Sequence, residues 1–193
     1  MILICLVILI GMSFMIFTDK KNVVNHLRAG DLDVTLTRTN LEYTILGENG
    51  TTKVITVEED LDLTDATEKN AFGFNSDHVL IVPGNYFKAD LQLKNSGNIA
   101  LEYTVGMQLI SETNALAEQV EVTVTDPNGL KTVKRLSEML EGVTVKAGEI
   151  REAGATQSFT VEVRFIDDTT INNAAQTQMA VFDLVVNAQQ LME

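Results

Sequence analysis

The chain has 193 residues, of which 45% are hydrophobic and 21% are charged. This composition predicts one domain that buries about 70% of its unfolded surface, and it excludes a disordered tail. The 14 basic and 27 acidic residues give a net charge of −13, which would repel a polyanion, so we expect no nucleic-acid partner. The single cysteine, Cys5, lies in an apolar N-terminal run, and a product processed beyond it has no thiol for a disulfide or for thiol catalysis.

Residues 2–17 form an almost unbroken apolar run, and the chain becomes polar at Asp19, with two lysines after it. A full membrane span needs about 20 apolar residues. We therefore interpret residues 1–16 as a signal peptide, with a short membrane anchor as the alternative. No Lys or Arg precedes the run, which is the reverse of the usual signal arrangement. Gly11 and Ser13 supply small residues for cleavage without defining one bond.

The next part of the chain alternates polar and apolar residues, which predicts β-strands. After Gly30 the alternation covers residues 31–37. Residues 41–46 and 53–57 predict a hairpin, because the segment 47–50 between them contains Asn-Gly, a pair suited to tight turns with positive φ.

An acidic and weakly patterned segment covers residues 58–77. Asp60, Asp62 and Asp65 suggest a calcium loop, but an EF-hand needs Gly at its sixth position and Glu at its twelfth. Counted from Asp60, those positions hold Asp65 and Ala71. We therefore predict a solvated surface loop without a metal.

The clearest strand pattern follows Pro83 and Gly84, a pair that interrupts regular structure. Apolar residues occupy every second position over 87–93, a polar turn covers 95–98, and the alternation resumes over 99–103. We predict a β-hairpin with one buried and one solvated face. Its apolar residues are Phe87, Ala89, Leu91, Leu93, Ile99, Leu101 and Tyr103.

One helix is predicted downstream. The strand over 99–110 is followed by a second strand pattern over 119–125, which ends in the turn 126–129. Apolar residues spaced by three and four over 130–140 then predict a helix that ends near Gly142 and packs on the sheet as a lid. These residues are Leu130, Val133, Leu136 and Leu140.

The C-terminal part predicts three more strands, a short one over 143–145 that closes at Gly148 and two alternating ones over 159–165 and 182–188. With about eight to ten strands, many turns and one short helix, residues 30–193 are predicted to form an all-β fold. The expected architecture is a jelly-roll-like two-sheet antiparallel β-sandwich. The inward residues of the last two strands are Phe159, Val161, Val163, Phe165, Phe182, Leu184, Val186 and Ala188.

Four short blocks occur in a defined order along the chain. They are an aromatic-polar-Asp step after the apolar leader, an Ala-Gly-x-Leu-Asp block, a Pro-Gly-Asn block with an Asn-x-Gly turn, and two terminal strands. They cover residues 16–19, 29–33, 83–85 with 95–97, and 165–168 with 186–190. In this order the blocks resemble the TasA/camelysin family of secreted Gram-positive proteins, which depend on the signal peptidase SipW.

The resemblance implies a secreted structural subunit of extracellular fibres in the biofilm matrix, without a cofactor. Its expected partners are the signal peptidase and further copies of itself, or related fibre subunits, joined head to tail. The resemblance also implies that residues 17–29 are similar to a donor strand, which leaves its own subunit and completes the sheet of the next. A flexible linker is the alternative. The large apolar residues of this donor segment are Phe17, Val23, Val24 and Leu27.

The competing hypothesis is an enzyme, because camelysin-like members have been described as metallopeptidases. A zinc peptidase needs about three protein ligands and a base, commonly in a His-Glu-x-x-His motif. The two histidines, His26 and His78, have no such spacing. We therefore predict no catalytic residue and no metal ligand. A membrane-anchored surface module that keeps the apolar run and binds a partner is the third possibility.

Overall fold

The structure is a computed structural model that describes residues 32–46, 51–64, 71–72, 82–139, 144–167, 172–175 and 178–192. Within these ranges the chain folds as an all-β sandwich of two antiparallel sheets with one short α-helix, which confirms the predicted fold class. The elements are β1 (Val34–Leu46), β2 (Thr52–Val57), β3 (Leu61–Asp62), β4 (Tyr86–Asn95), β5 (Leu101–Leu109), α1 (Ala115–Gln119), β6 (Val120–Thr125), β7 (Lys131–Arg135), β8 (Thr144–Ile150), β9 (Thr156–Phe165) and β10 (Phe182–Gln190).

The larger sheet has the strand order β2-β1-β4-β9-β6-β7, and β3 also pairs with β1. The smaller sheet has the order β10-β5-β8. From β4 onward the chain passes repeatedly between the two sheets, as in jelly rolls. Alternate side chains of each strand therefore face the opposite sheet and form one core between the layers. Its most buried residues include Leu91, Leu93, Leu101, Val105, Val122, Val124 and Val161.

The predicted hairpin around residues 95–98 is wrong, because β4 and β5 belong to different sheets. The turn is instead a corner built on Asn95, which is fully buried. Its side-chain amide donates to the Ile99 carbonyl at 2.8 Å, and its side-chain oxygen accepts from the Gly97 N–H at 3.1 Å. The Asn95 backbone is also bonded on both sides, since its N–H donates to the Ala155 carbonyl and its C=O accepts from Gly154. An alternating pattern predicts strands but not which sheet each strand joins.

The predicted helix over 130–140 is also wrong in its described part, which forms strand β7 and a 3₁₀ turn over Leu136–Glu138. The preceding turn decides this outcome. The Gly129 N–H donates to the Asp126 carbonyl at 2.9 Å, and Gly129 has a φ of 80°, so the chain reverses and pairs β7 with β6. The side chains of Leu130 and Val133 are 62% and 53% exposed, so they do not form a buried stripe.

The α-helix of the described residues, α1, lies in a segment for which no helix was predicted. Asn114 caps it, since its side-chain oxygen accepts a hydrogen bond from the Ala117 N–H at 2.9 Å. Leu116 and Ala117 are buried in the core. The helix has only five residues, which is too short to produce a recognisable period in the sequence.

Part of the acidic segment contributes to the core rather than forming a solvated loop. Leu63, Ala71 and Phe72 are all at most 9% exposed. The Leu63 N–H donates to the Leu36 carbonyl at 2.8 Å, which fixes this segment beside β1. Three apolar residues among many carboxylates are a weak signal, and the burial of these three depends on the sheet that they contact.

Strands β1 and β8 extend well beyond their predicted bounds. β1 runs continuously from Val34 to Leu46, with a register shift between Arg38 and Asn40 against β4. β8 continues through Gly148 to Ile150. The hairpin of β1 and β2 is confirmed by their antiparallel pairing, while its 47–50 turn lies outside the described residues.

Candidate functional site at the edge of strand β10

Sheet edges are the places where another chain can extend this sandwich. In the described part of the chain, the larger sheet ends at β2 and β7 and the smaller sheet ends at β8 and β10. β7 carries three basic residues among five, β8 carries two charged residues and pairs with a register shift, and β2 has six residues with one lysine. β10 has nine residues, no proline and one charged residue, Asp183. It therefore has few of the features that protect edge strands from pairing.

The main-chain groups of β10 alternate between the two sides of the strand. The Ile110 N–H donates to the Val181 carbonyl at 2.7 Å, and the Leu191 N–H donates to the Ala100 carbonyl at 2.9 Å. These two bonds define the ladder with β5. In an antiparallel ladder, bonded and outward-pointing residues alternate, so the odd-numbered residues of β10 bond to β5. The even-numbered residues from 184 onward point their N–H and C=O groups away from β5, and these residues are Leu184, Val186, Ala188 and Gln190.

The core is less well covered at β10 than elsewhere in the smaller sheet. The inward-facing residues of the central strand β5 are at most 7% exposed, and in β8 Val145 is 7% and Ile150 is 2% exposed. In β10, by contrast, Leu184, Val186 and Ala188 are only partly buried although they pack against the same core. The apolar interior therefore extends to the outer edge of β10.

Residues 71–72 connect the start of β10 to β1 in the larger sheet. The Phe72 ring packs edge-on against the Phe182 ring of β10, with 6.3 Å between the ring centroids. The Ala71 carbonyl accepts a hydrogen bond from Nη1 of Arg38, on β1, at 3.3 Å. These contacts place residues 71–72 between Phe182 at the start of β10 and Arg38 of β1.

A polar cluster lies on the outer face of the larger sheet, away from this edge. The Tyr86 hydroxyl donates to the Glu42 carboxylate at 2.6 Å, and the Arg164 guanidinium lies 4.6 Å from the centre of the Tyr86 ring. Arg164 also donates to the Glu162 carboxylate at 2.8 Å. The hydrogen bond to Glu42, followed by burial, raises the pKa of Tyr86 to about 12. The groups of this cluster satisfy one another, so it is structural rather than a site.

All four predicted donor residues lie outside the described residues, so their placement stays a prediction; they are Phe17, Val23, Val24 and Leu27. The same applies to His26 and His78 and to the predicted signal over residues 1–16. Within the described ranges, no group of three or more His, Cys, Asp or Glu side chains is arranged to hold a metal ion. No helix among the described residues has the length and apolarity that a membrane span requires.

Comparisons of this chain with protein-family models, with curated proteins and with solved structures find no match.

The alternating pattern over residues 182–188 correctly predicts β10 as a strand, but it does not predict that β10 is an edge strand. Edge position depends on which strands pair, and β10 pairs with β5, which is distant in sequence. The low charge of Phe182–Gln190 is the local signal that could have indicated an unprotected edge.

Proposed function

We propose that this protein is a secreted structural subunit of extracellular matrix fibres, in which the donor segment of one subunit, residues 17–29, adds as a strand to β10 of the next. The observation that carries this proposal is the partly buried apolar row of β10 beside outward-pointing main-chain groups. An added strand would bond to those groups and complete the cover of the core.

The sequence pattern of the donor segment suits this role. In an extended strand, alternate residues share a face, so Val23 and Leu27 lie on the same face as Phe17. In a strand added at the edge, that face would lie beside the inward-facing side chains of β10, of which Val186 and Ala188 are only partly buried. Main-chain hydrogen bonds then join successive subunits. Because the donor and the acceptor are different surfaces, the contact is head to tail, and such a contact propagates as a filament when it does not close into a ring.

The donor segment of this proposal comes from the resemblance of the four sequence blocks to the TasA/camelysin family, which implies secreted matrix fibres with donor-strand exchange. The fibre proposal relies on main-chain pairing between subunits.

Negative-stain microscopy and sizing of two chains test the proposal, one that starts at Phe17 and one that starts at Gly30. Both contain every described strand, because β1 begins at Val34. We expect filaments from the longer chain and monomers from the shorter one. If both chains stay monomeric and folded, the donor-strand proposal is wrong, and residues 17–29 are a linker.

A proline in β10 tests the acceptor edge within the longer chain. The Ala188 N–H points away from β5, so Ala188→Pro removes an outward donor and leaves the ladder with β5 intact. We expect a folded monomer by circular dichroism and no filaments. The matched control Ala188→Ser keeps the N–H and should still form filaments. Filaments from the proline variant would show that β10 is not the acceptor.

A further inference from the structure

Arg38 is a buried cation whose bonding is incomplete. Its side chain is 4% exposed and lies on the inward face of β1, on the same side as Val34 and Leu36. Nη1 makes one long hydrogen bond to the Ala71 carbonyl at 3.3 Å, and the buried Nε has no hydrogen-bond partner. Among the residues that the structure describes, no carboxylate forms a salt bridge with Arg38.

Among the described residues, this arrangement leaves the buried charge of Arg38 poorly compensated in a single subunit. A guanidinium carries five N–H donors and keeps its charge at all physiological pH values. A buried charge needs a charged or well-bonded partner to offset the loss of its hydration. One neutral carbonyl at 3.3 Å is a weak partner. The chemical group that would complete the site is a carboxylate, which matches the guanidinium fork with two short hydrogen bonds.

The position of Arg38 connects it to the β10 edge. Ala71 accepts from Arg38, and the neighbouring Phe72 packs on Phe182 at the start of β10. Residues 71–72 therefore link the guanidinium to the edge strand beside which the donor strand would add. A carboxylate on the inward face of that strand could replace the Ala71 carbonyl as the acceptor.

The donor segment contains one carboxylate. Over residues 17–29 the acidic residue is Asp19, accompanied by Lys20, Lys21 and Arg28. In an extended strand the odd-numbered residues share one face, so Asp19 lies on the face that carries Phe17 and Leu27. Its charge is opposite to that of Arg38. The apolar residues would contact the core while the carboxylate reaches the guanidinium.

We propose that Arg38 is the binding site for the Asp19 carboxylate of the neighbouring subunit's donor segment, an inference that rests on the proposed function. The pair forms only when the donor strand is in place, so it favours the assembled state over the free subunit. It also selects one register of the donor strand, because a slip by one residue turns Asp19 to the opposite face. Arg38 then lowers the stability of the free subunit, and in the fibre it binds Asp19 of the donor segment.

Binding of a synthetic peptide of residues 17–29 to the chain that starts at Gly30 tests the pair by calorimetry. We expect the Asp19→Asn peptide to bind at least about tenfold more weakly, because a charge-assisted hydrogen bond is lost. The Arg38→Met chain should bind the native peptide as weakly as the native chain binds the Asp19→Asn peptide. It should also bind both peptides with the same affinity. Its urea midpoint should equal or exceed that of the native chain, because an unpaired buried charge is removed.

Filament assembly of chains that start at Phe17 gives the second measurement. Asp19→Asn should raise the concentration at which filaments appear, whereas Glu152→Gln, an exposed residue with the same change in charge, should not. The native peptide can bind and filaments can form while Asp19→Asn changes neither the peptide affinity nor the concentration at which filaments appear. In that case this inference is wrong and the fibre proposal stands. If neither peptide binding nor filaments occur, both are wrong. If Arg38→Met does not fold, the Asp19 variants still decide the matter, because Asp19 precedes the described strands.

Discussion

The corner at Asn95 should be one of the most sensitive positions in this fold. Its amide makes two side-chain hydrogen bonds, to the Ile99 carbonyl at 2.8 Å and from the Gly97 N–H at 3.1 Å, and the residue is fully buried. The corner carries the chain from β4 in the larger sheet to β5 in the smaller one. Since β10 pairs with β5, the corner also positions the proposed acceptor edge.

Asn95→Ala removes both side-chain bonds and leaves the Gly97 N–H, which is buried, without its acceptor. The lost bond to the Ile99 carbonyl costs about 1 kcal/mol, and leaving the buried Gly97 N–H without its acceptor costs about 1–3 kcal/mol. We therefore expect the free energy of unfolding to fall by about 2–4 kcal/mol. For a domain of this size, the melting temperature should fall by roughly 4–16 °C. Urea denaturation followed by circular dichroism suits a protein without tryptophan.

Asn98→Ala is the matched control, because Asn98 lies in the same corner and is exposed. Exposed substitutions of this kind usually change the free energy of unfolding by less than about 0.5 kcal/mol. If Asn95→Ala destabilises the protein no more than Asn98→Ala does, the corner does not depend on the buried amide, and our account of how β5 is positioned is wrong.

Two further predictions concern Tyr103 and Tyr86. A Cβ at Gly148 would lie 2.6 Å from Cζ of Tyr103, whose hydroxyl is held by Gln157 at 2.6 Å. Gly148→Ala should therefore cost about 1–3 kcal/mol in urea denaturation, and a cost that persists unchanged in a Tyr103→Leu background would contradict the predicted clash. The pKa of Tyr86 is raised to about 12 from 10.0, so its protonated form is favoured in the folded state. This contribution is fully present below about pH 10 and is lost as the pH rises toward 12. The stability difference between the native protein and Tyr86→Phe should accordingly be smaller at about pH 11 than at about pH 9, and an equal difference would rule out the bond to Glu42 as its cause.

Strong local patterns were sufficient to predict several elements. The alternation over 87–93, 159–165 and 182–188 correctly predicts β4, β9 and β10, because a period of two is a property of each strand alone. The turn over 126–129 is confirmed for the same reason, since its Gly129 adopts a positive φ that depends on local sequence.

Local pattern failed where the outcome depended on distant partners. The residues over 130–140 have helical spacing, yet pairing with β6 makes Lys131–Arg135 a strand. Leu63 and Phe72 lie in an acidic segment that reads as a loop, yet contact with β1 and β10 buries them. In each case the competing tertiary contact stabilises the residues more than their local preference does.

The alternating hydrophobicity of the strands was enough to predict an all-β sandwich, because it is encoded residue by residue along each strand. Which strand forms an edge and which charge is buried depend instead on how the strands pair in the fold. β10 is an edge because it pairs with β5 alone among the described strands, and Arg38 is buried because β1 turns it toward the core. Both result from long-range pairing, which the alternating pattern of a single strand does not encode.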